Sequence, residues 1–341
     1  MDEPRSEFFD LGGPIPLDVM TCAPYPRATV KALGEAIRWR MDPAAIHGNH
    51  FRQVTERARI AVARMCELPA SWISFPEAAD AAALQVPRGA RILHPPRVSP
   101  RLHRILETLR QSGALLETLR SDEGDADGGT LASILASRHD GFVALDWVRP
   151  GDGVARNLAH VTQEAAENLR FIVEGSGAFG RLPFPPGLRS RFVFLSRSGG
   201  SLLAAPGLWV QISPDSPPVE SLEEPPDLLL AALTASATLL WEFGLGEIGS
   251  RIAEYQAALL PRLSESGLVP LGVFEPTAPR PTLLLRRADG GPIPPLIEHL
   301  RQSGFACGID GSHLRLAFHV HNERAHVENL VCALKGAHIP S

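Results

Sequence analysis

FIVEGSGAFGRLPFPPGLRSRFVFLSRSGGSLLAAPGLWVQI, residues Phe171 to Ile212, is the stretch whose reading decides the fold. Two short runs, Phe171 to Val173 and Arg191 to Leu195, are each followed by a Gly-rich turn, and a third, Leu208 to Ile212, comes close behind. Apolar runs of this length bounded by Gly and Pro have the form of strands buried on both faces. In an open α/β sheet, ligands sit beyond the carboxyl ends of such strands. Those ends are Glu174-Gly175-Ser176-Gly177 and Ser196-Arg197-Ser198-Gly199-Gly200.

Around this stretch, 341 residues at 44% hydrophobic content are enough for one large core and a smaller second one. A net charge of −5 leaves no polybasic footprint, so neither nucleic acid nor an anionic membrane surface is expected as a partner. The opening MDEPRSEFFDLGG is acidic and has no apolar signal-like run, which gives an expectation of no signal peptide, no membrane span and a cytoplasmic location. Cys22, Cys66, Cys307 and Cys332 form no C-x-x-C pair and read as reduced thiols. Cys22, Cys66 and Cys332 stand among apolar neighbours and are expected in the core, whereas Cys307, in GFACGIDG, is open between an ordinary and a reactive thiol.

In chain order, Asp10 to Val19 is a Gly/Pro-rich arm, and helices are expected over Arg27–Arg40 and Ile46–Leu68. Val54, Ala58, Ala61, Val62 and Met65 share one face of the second helix. A strand, turn and helix follow over Ser71–Val86, then a strand at Arg91–Leu93, a helix at Pro100–Gln111 and a strand at Leu115–Leu119. Ser121–Thr130 reads as a solvated loop, Gly141–Trp147 as a buried strand and Leu158–Leu169 as a crossover helix. Beyond the Pro-rich linker Ser213–Asp227 and the helical stretch Leu228–Leu263 come strands at Leu268–Phe274 and Thr282–Arg286. A helix at Ile293–Gln302, a strand at His313–Phe318 and a helix at Glu323–Leu334 complete the chain. The expected organisation is an arm (1–20), a large α/β domain (21–227), connecting helices (228–264) and a small α+β domain (265–341).

Several segments, in this order, resemble the class V aminotransferase and cysteine desulfurase group of pyridoxal phosphate (PLP) enzymes, of fold type I. Val173-Glu174 through Gly180 is similar to that group's V-D-x-x-Q/S-x-x-G, with Glu in place of the Asp that meets the pyridine nitrogen. Gly244 to Arg251 resembles G-L-e-x-I-x-x-R, and HLRLAFHVHNERAHVENLVCAL (313–334) resembles the closing strand and helix, Asn322 standing near the start of that helix. The resemblance implies a mainly parallel central sheet flanked by helices, with a small C-terminal α+β domain. It also implies a dimer, PLP as cofactor, and Arg315 as the receptor of a substrate carboxylate.

The same alignment departs from the group at the chemistry. Ser196 to Gly200 lies where S-x-H-K carries the Schiff-base lysine, and Ser198-Gly199 stands there instead of His-Lys. A Schiff base needs a primary amine, and the chain contains two lysines, Lys31 and Lys335, each in a terminal helix. Ala78-Ala79-Asp80 replaces the phosphate-holding G-A-T, and a carboxylate at Asp80 repels a phosphate dianion. Arg149-Pro150 replaces the Asn loop and Glu224-Pro225-Pro226 the G-T-P loop.

The leading expectation is therefore a chain that keeps the scaffold without Schiff-base chemistry and without PLP. It would be a non-catalytic partner, a binder of a small carboxylate, or a PLP-independent enzyme with Glu174 and Asp80 as acid/base pair. Arg315, Ser176, Ser196, Arg197 and Ser198 are the expected ligand contacts, with Gly199 near the lysine position and no metal ligand. Arg315 is equally readable as half of a structural ion pair. The partner is either a second copy or an active paralogue. Two alternatives stay open. One is a PLP or pyridoxamine phosphate enzyme of aminotransferase, desulfurase, lyase or epimerase type with non-covalent cofactor. The other is a metal-dependent enzyme built on His313, His319, His321 and His326, against which the plainer reading is packing plus surface histidines.

Overall fold

The computed structural model describes residues 7–8, 13–21, 23–42, 50–76, 86–119, 128–138, 140–185, 192–214, 226–272 and 279–336. Within them the strands are β1 (Ile15–Pro16), β2 (Ile73–Ser74), β3 (Arg91–His94), β4 (Leu115–Thr118), β5 (Gly141–Asp146), β6 (Leu169–Glu174) and β7 (Phe192–Arg197). Next come β8 (Trp209–Ile212), β9 (Leu268–Pro270), β10 (Leu283–Arg287), β11 (Phe305–Ala306), β12 (Gly308–Asp310) and β13 (His313–Leu316). The central sheet has the order β2-β8-β7-β6-β5-β3-β4. Its pairs are parallel except those of β8, which runs antiparallel to both neighbours. The expected α/β class and mainly parallel sheet are what the structure has.

Alternation along the middle strands explains their burial. Val143, Leu145, Phe171, Val173 and Phe194 face the main core, while Ala144, Ile172 and Leu195 face the opposite side. There the helix Pro100–Gln111 covers them with Leu102, Ile105, Leu106 and Leu109, each buried and each contributing about 1.5–3 kcal/mol. Its start is set by Ser99, whose hydroxyl accepts from the Leu102 N–H at 3.1 Å, and by Pro100 in the first turn. That helix entrance sits beside the carboxyl ends of β5 and β6.

A four-stranded antiparallel sheet, β12-β13-β10-β9, lies in the C-terminal part, and β1 pairs with β11 in a separate two-stranded ribbon. In chain order between β8 and β9, the helices Asp227–Phe243 and Leu245–Leu259 are broken at Gly244, whose φ of 77° ends the first and opens the second. No single described helix is long and apolar enough to cross a membrane.

Several expectations shift. Residues 128–130, placed in a loop, already belong to the helix Gly128–Ala136, because Leu131 and Leu135 pack into the core and draw the helix start forward. The crossover helix stops at Glu164, and the last helix begins at Arg324, with Glu323 and His326 forming a capping box. β13 ends at Leu316, and Cys332, expected in the core, is exposed on the outer side of the final helix. Cys66 is buried as expected, while Cys22 lies outside the described residues.

Candidate functional site

Cross-strand register places the ends of β5, β6 and β7 in one row, with Asp146 beside Glu174 and Glu174 beside Leu195. Residues in such a row share a face of the sheet. Asp146 and Glu174 are 2% and 4% exposed, so two carboxyl groups lie side by side in a dry site. Glu174 Oε1 accepts from the Ser176 N–H at 3.1 Å, and Asp146 Oδ2 accepts from the Ser99 N–H at 2.8 Å. Asp146 Oδ1 has no hydrogen-bond partner among the described residues. Burial raises the Glu174 carboxyl above its ordinary range, against the pull of Ser176 and Arg101. Burial and then the charge of Glu174 push Asp146 up to about 7, with Ser99 and Arg156 pulling the other way. Like charges this close ionise in sequence, so the pair holds a proton toward neutral pH and is a competent acid/base unit. Asp146 was not anticipated; its one local signal is a carboxylate closing the apolar run Phe142–Leu145.

The turn after β7 gathers the expected serines. Ser176 Oγ accepts from the Arg197 N–H at 2.9 Å, and Ser201 donates to the Ser176 carbonyl at 2.6 Å, tying the turns after β6 and β7 together. Ser198 donates to the Ala205 carbonyl at 2.8 Å and accepts from the Leu208 N–H at 2.9 Å, so its hydroxyl is occupied in shaping the turn. Ser196 is buried with its hydroxyl unpartnered among the described residues, and the Arg197 side chain is exposed. Gly199 has φ 153° and ψ −143°, a region essentially restricted to glycine. A Cβ on Gly200 would overlap the carbonyl oxygen of Val19, so the N-terminal arm lies directly on this turn.

Arg181, also unanticipated, is fully buried between the sheets. Its guanidinium donates to the carbonyls of Gly177 (3.0 Å), Phe318 (2.8 and 3.1 Å) and Pro281. Burial lowers its pKa to about 9, with Asp18 opposing.

Arg315 is engaged as an ion pair. Its Nε and Nη2 donate to Asp18 Oδ2 at 3.1 and 3.0 Å, and Nη2 also donates to Thr21 Oγ1 at 2.8 Å. Asp310 Oδ2 lies 3.5 Å from Nη1. The metal reading of the histidines fails on geometry: His319 uses Nε2 toward the Ser201 carbonyl (2.9 Å) and Nδ1 to accept the Val320 N–H (2.7 Å), leaving no lone pair. His321 reaches the Pro16 carbonyl through Nε2 at 3.2 Å. Both rings are buried, so for these two the packing part of the plainer reading applies and the surface part does not. Burial keeps both neutral, His319 well below the ordinary value and His321 near 4. His313 turns to the Asp310 carbonyl and His326 to the capping box. Among the described residues no three His, Cys, Asp or Glu side chains are grouped to hold a metal. Cys307 is a thiol rather than a thiolate, burial and then Asp18 raising it to about 12. Asp80, Ala78, Ala79, Glu224 and Pro225 lie outside the described residues.

No family model and no curated protein sequence matches the chain. Solved structures do. The apo cysteine desulfurase of Thermococcus onnurineus NA1 superposes with a TM-score of 0.82 at 16% identity, covering 98% of this chain and 97% of that one. The cysteine desulfurase CsdA of Escherichia coli gives 0.77 at 18% identity, over 99% and 98%. A lysine-to-alanine mutant of C-DES, with glycine covalently linked to its PLP cofactor, gives 0.77 at 15%, over 97% and 98%. The fold is that of the cysteine desulfurases.

In a desulfurase fold the implied cofactor is PLP, and the residues present do not fit it as a covalent group. Gly199, which the sequence resemblance sets near the amine position, has a backbone conformation that a lysine adopts only under strain of about 1–3 kcal/mol. Lys31 is exposed on the helix Arg27–Met41, and Lys335, half exposed on the last helix, pairs with Glu265 at 2.7 Å. Neither stands at the end of a central strand.

Proposed function

We propose that this chain uses the desulfurase scaffold to bind a small carboxylate-bearing molecule without forming a Schiff base. The observation that carries the reading is Gly199: the turn after β7 offers no amine, and the backbone conformation at this position is one that a side-chain-bearing residue adopts only under strain. If the cleft catalyses a reaction, it is a PLP-independent proton transfer. Glu174 with Asp146 is then the available acid/base pair, because the two are adjacent, buried and hold a proton toward neutral pH.

Calorimetric titration with PLP, pyridoxamine phosphate and a panel of small carboxylates tests this. The expected result is saturable binding of a carboxylate and none of either cofactor at high micromolar concentration. Tight binding of a cofactor contradicts it and favours a second reading, a cofactor held non-covalently. Glu174, a carboxyl at the end of β6, is what supports that alternative, together with the PLP in the C-DES neighbour.

We further propose a cytoplasmic dimer, formed with a second copy or an active paralogue. Val30, Ile37 and Met41 make an apolar stripe on the helix Arg27–Met41, 40%, 51% and 78% exposed. Sedimentation of the purified chain alone distinguishes the two partners, a self-associating chain favouring the second copy.

A further inference from the structure

The N-terminal arm ends in a carboxylate that sits in a cavity shaped for one. Gly308 on β12 pairs in register with Arg315 on β13, and a Cβ on Gly308 would overlap Asp18 Oδ2. The missing side chain therefore makes the room that the Asp18 carboxylate fills, 2% exposed, against the Arg315 guanidinium. Thr21 donates to Oδ2 at 2.7 Å and the Met20 N–H to Oδ1 at 3.1 Å, so both oxygens are satisfied.

The rest of the arm is held as an added strand would be, by backbone bonds. Ile15, Leu17 and Val19 donate to the carbonyls of Gly304, Ala306 and Ala317 at 2.8, 2.8 and 3.1 Å, and Ala317 donates back to Leu17 at 2.7 Å. Asn322 fixes the Pro16 carbonyl at 2.8 Å. In such peptide docking the backbone supplies adhesion and the side-chain pocket supplies selectivity. Two residues past Leu17, the same segment places the Val19 carbonyl over Gly200 at the end of β7.

We propose that Asp18 is an internal ligand: its carboxylate occupies a carboxylate site made by Arg315 and Gly308, and a small external carboxylate exchanges with it, lifting the arm from the turn at Gly200. This rests on the carboxylate-binding reading above and adds its regulation. The chain is self-closed until a competing carboxylate arrives, because one guanidinium cannot make the same bonds to both.

Hydrogen–deuterium exchange of the whole chain tests it, with sodium acetate and L-alanine as probes and sodium chloride at equal ionic strength as control. The expected result is a saturable acceleration at the Leu17 and Val19 amides with either carboxylate and none with chloride. In Asp18→Asn, which keeps the shape and loses the charge, these amides exchange roughly tenfold faster without probe, and the acetate midpoint falls roughly tenfold. Arg315→Gln loses the acetate response. Exchange indifferent to carboxylate in both the wild type and Asp18→Asn overturns the proposal, as does an undiminished response in Arg315→Gln. The cofactor titration reads the underlying function separately, so failure of either claim is recognisable.

Discussion

The turns after β6 and β7 are neighbours, joined by Ser176 and Ser201, yet they differ in kind. The turn after β6 keeps charged side chains in a dry interior, Glu174 at the strand end and Arg181 seven residues on. The turn after β7 has none inside: Gly199 and Gly200 leave bare backbone, and the arm closes over it. A buried charge persists where the surrounding backbone satisfies it, as four hydrogen bonds to carbonyls do for Arg181. A turn with no charged side chain inside it and bare backbone at Gly199 and Gly200 instead accepts another segment of the chain. Two adjacent turns on one sheet are thus filled in different ways, one by buried charges and the other by the N-terminal arm.

The sharpest way to break this contrast is Arg181→Ala. Three carbonyls lose their donor in a site without water access, and the expected cost is on the order of 3–5 kcal/mol in urea unfolding. A loss below about 1 kcal/mol would show that the guanidinium is not what joins the sheets there.

Next in size is the pH response of the acid pair. The folded pKa of Asp146 is raised to about 7, so the native state binds more protons than the unfolded chain between about pH 4 and 7. Stability is therefore fully present at the acid side of that window, falls as pH rises through it, and levels off above, with a slope of up to about 1.4 kcal/mol per pH unit. Asp146→Asn is expected to flatten most of the slope, leaving the part due to Glu174, and to stabilise the protein at pH 8. Unfolding curves at several pH values check this, and an unchanged slope in the variant contradicts the assignment.

On the β7 side, Gly199→Lys restores an amine at the resembling position. It is expected to lose about 1–3 kcal/mol to backbone strain and still fail to bind PLP covalently. The smallest effect is Ser198→Ala, which removes one donor and one acceptor within the turn, at about 1–2 kcal/mol in thermal unfolding.

The two turns were also unequally legible in the sequence. Phe171 to Glu174 announces a buried strand because local apolar content and the following glycines suffice, and the carboxyl at its end could be named at once. Its partner Asp146 could not, because register between strands is settled by the packed sheet and not by either segment alone. The choice between ligand and ion pair for Arg315 turned on Asp18, 297 positions away, which local spacing does not reach. HVHN by itself does not separate metal ligands from packing or surface residues at His319 and His321. They are buried because the arm and the Ser201 turn close over them, contacts again made across the whole chain.

The central claim is that the β7 turn offers no amine to an aldehyde. Incubation with low-micromolar PLP, borohydride reduction and peptide mapping by mass spectrometry tests it most directly. The account predicts no stoichiometric phosphopyridoxyl adduct, with at most trace labelling at Lys31 and Lys335. A saturable, one-to-one adduct on either lysine would contradict it.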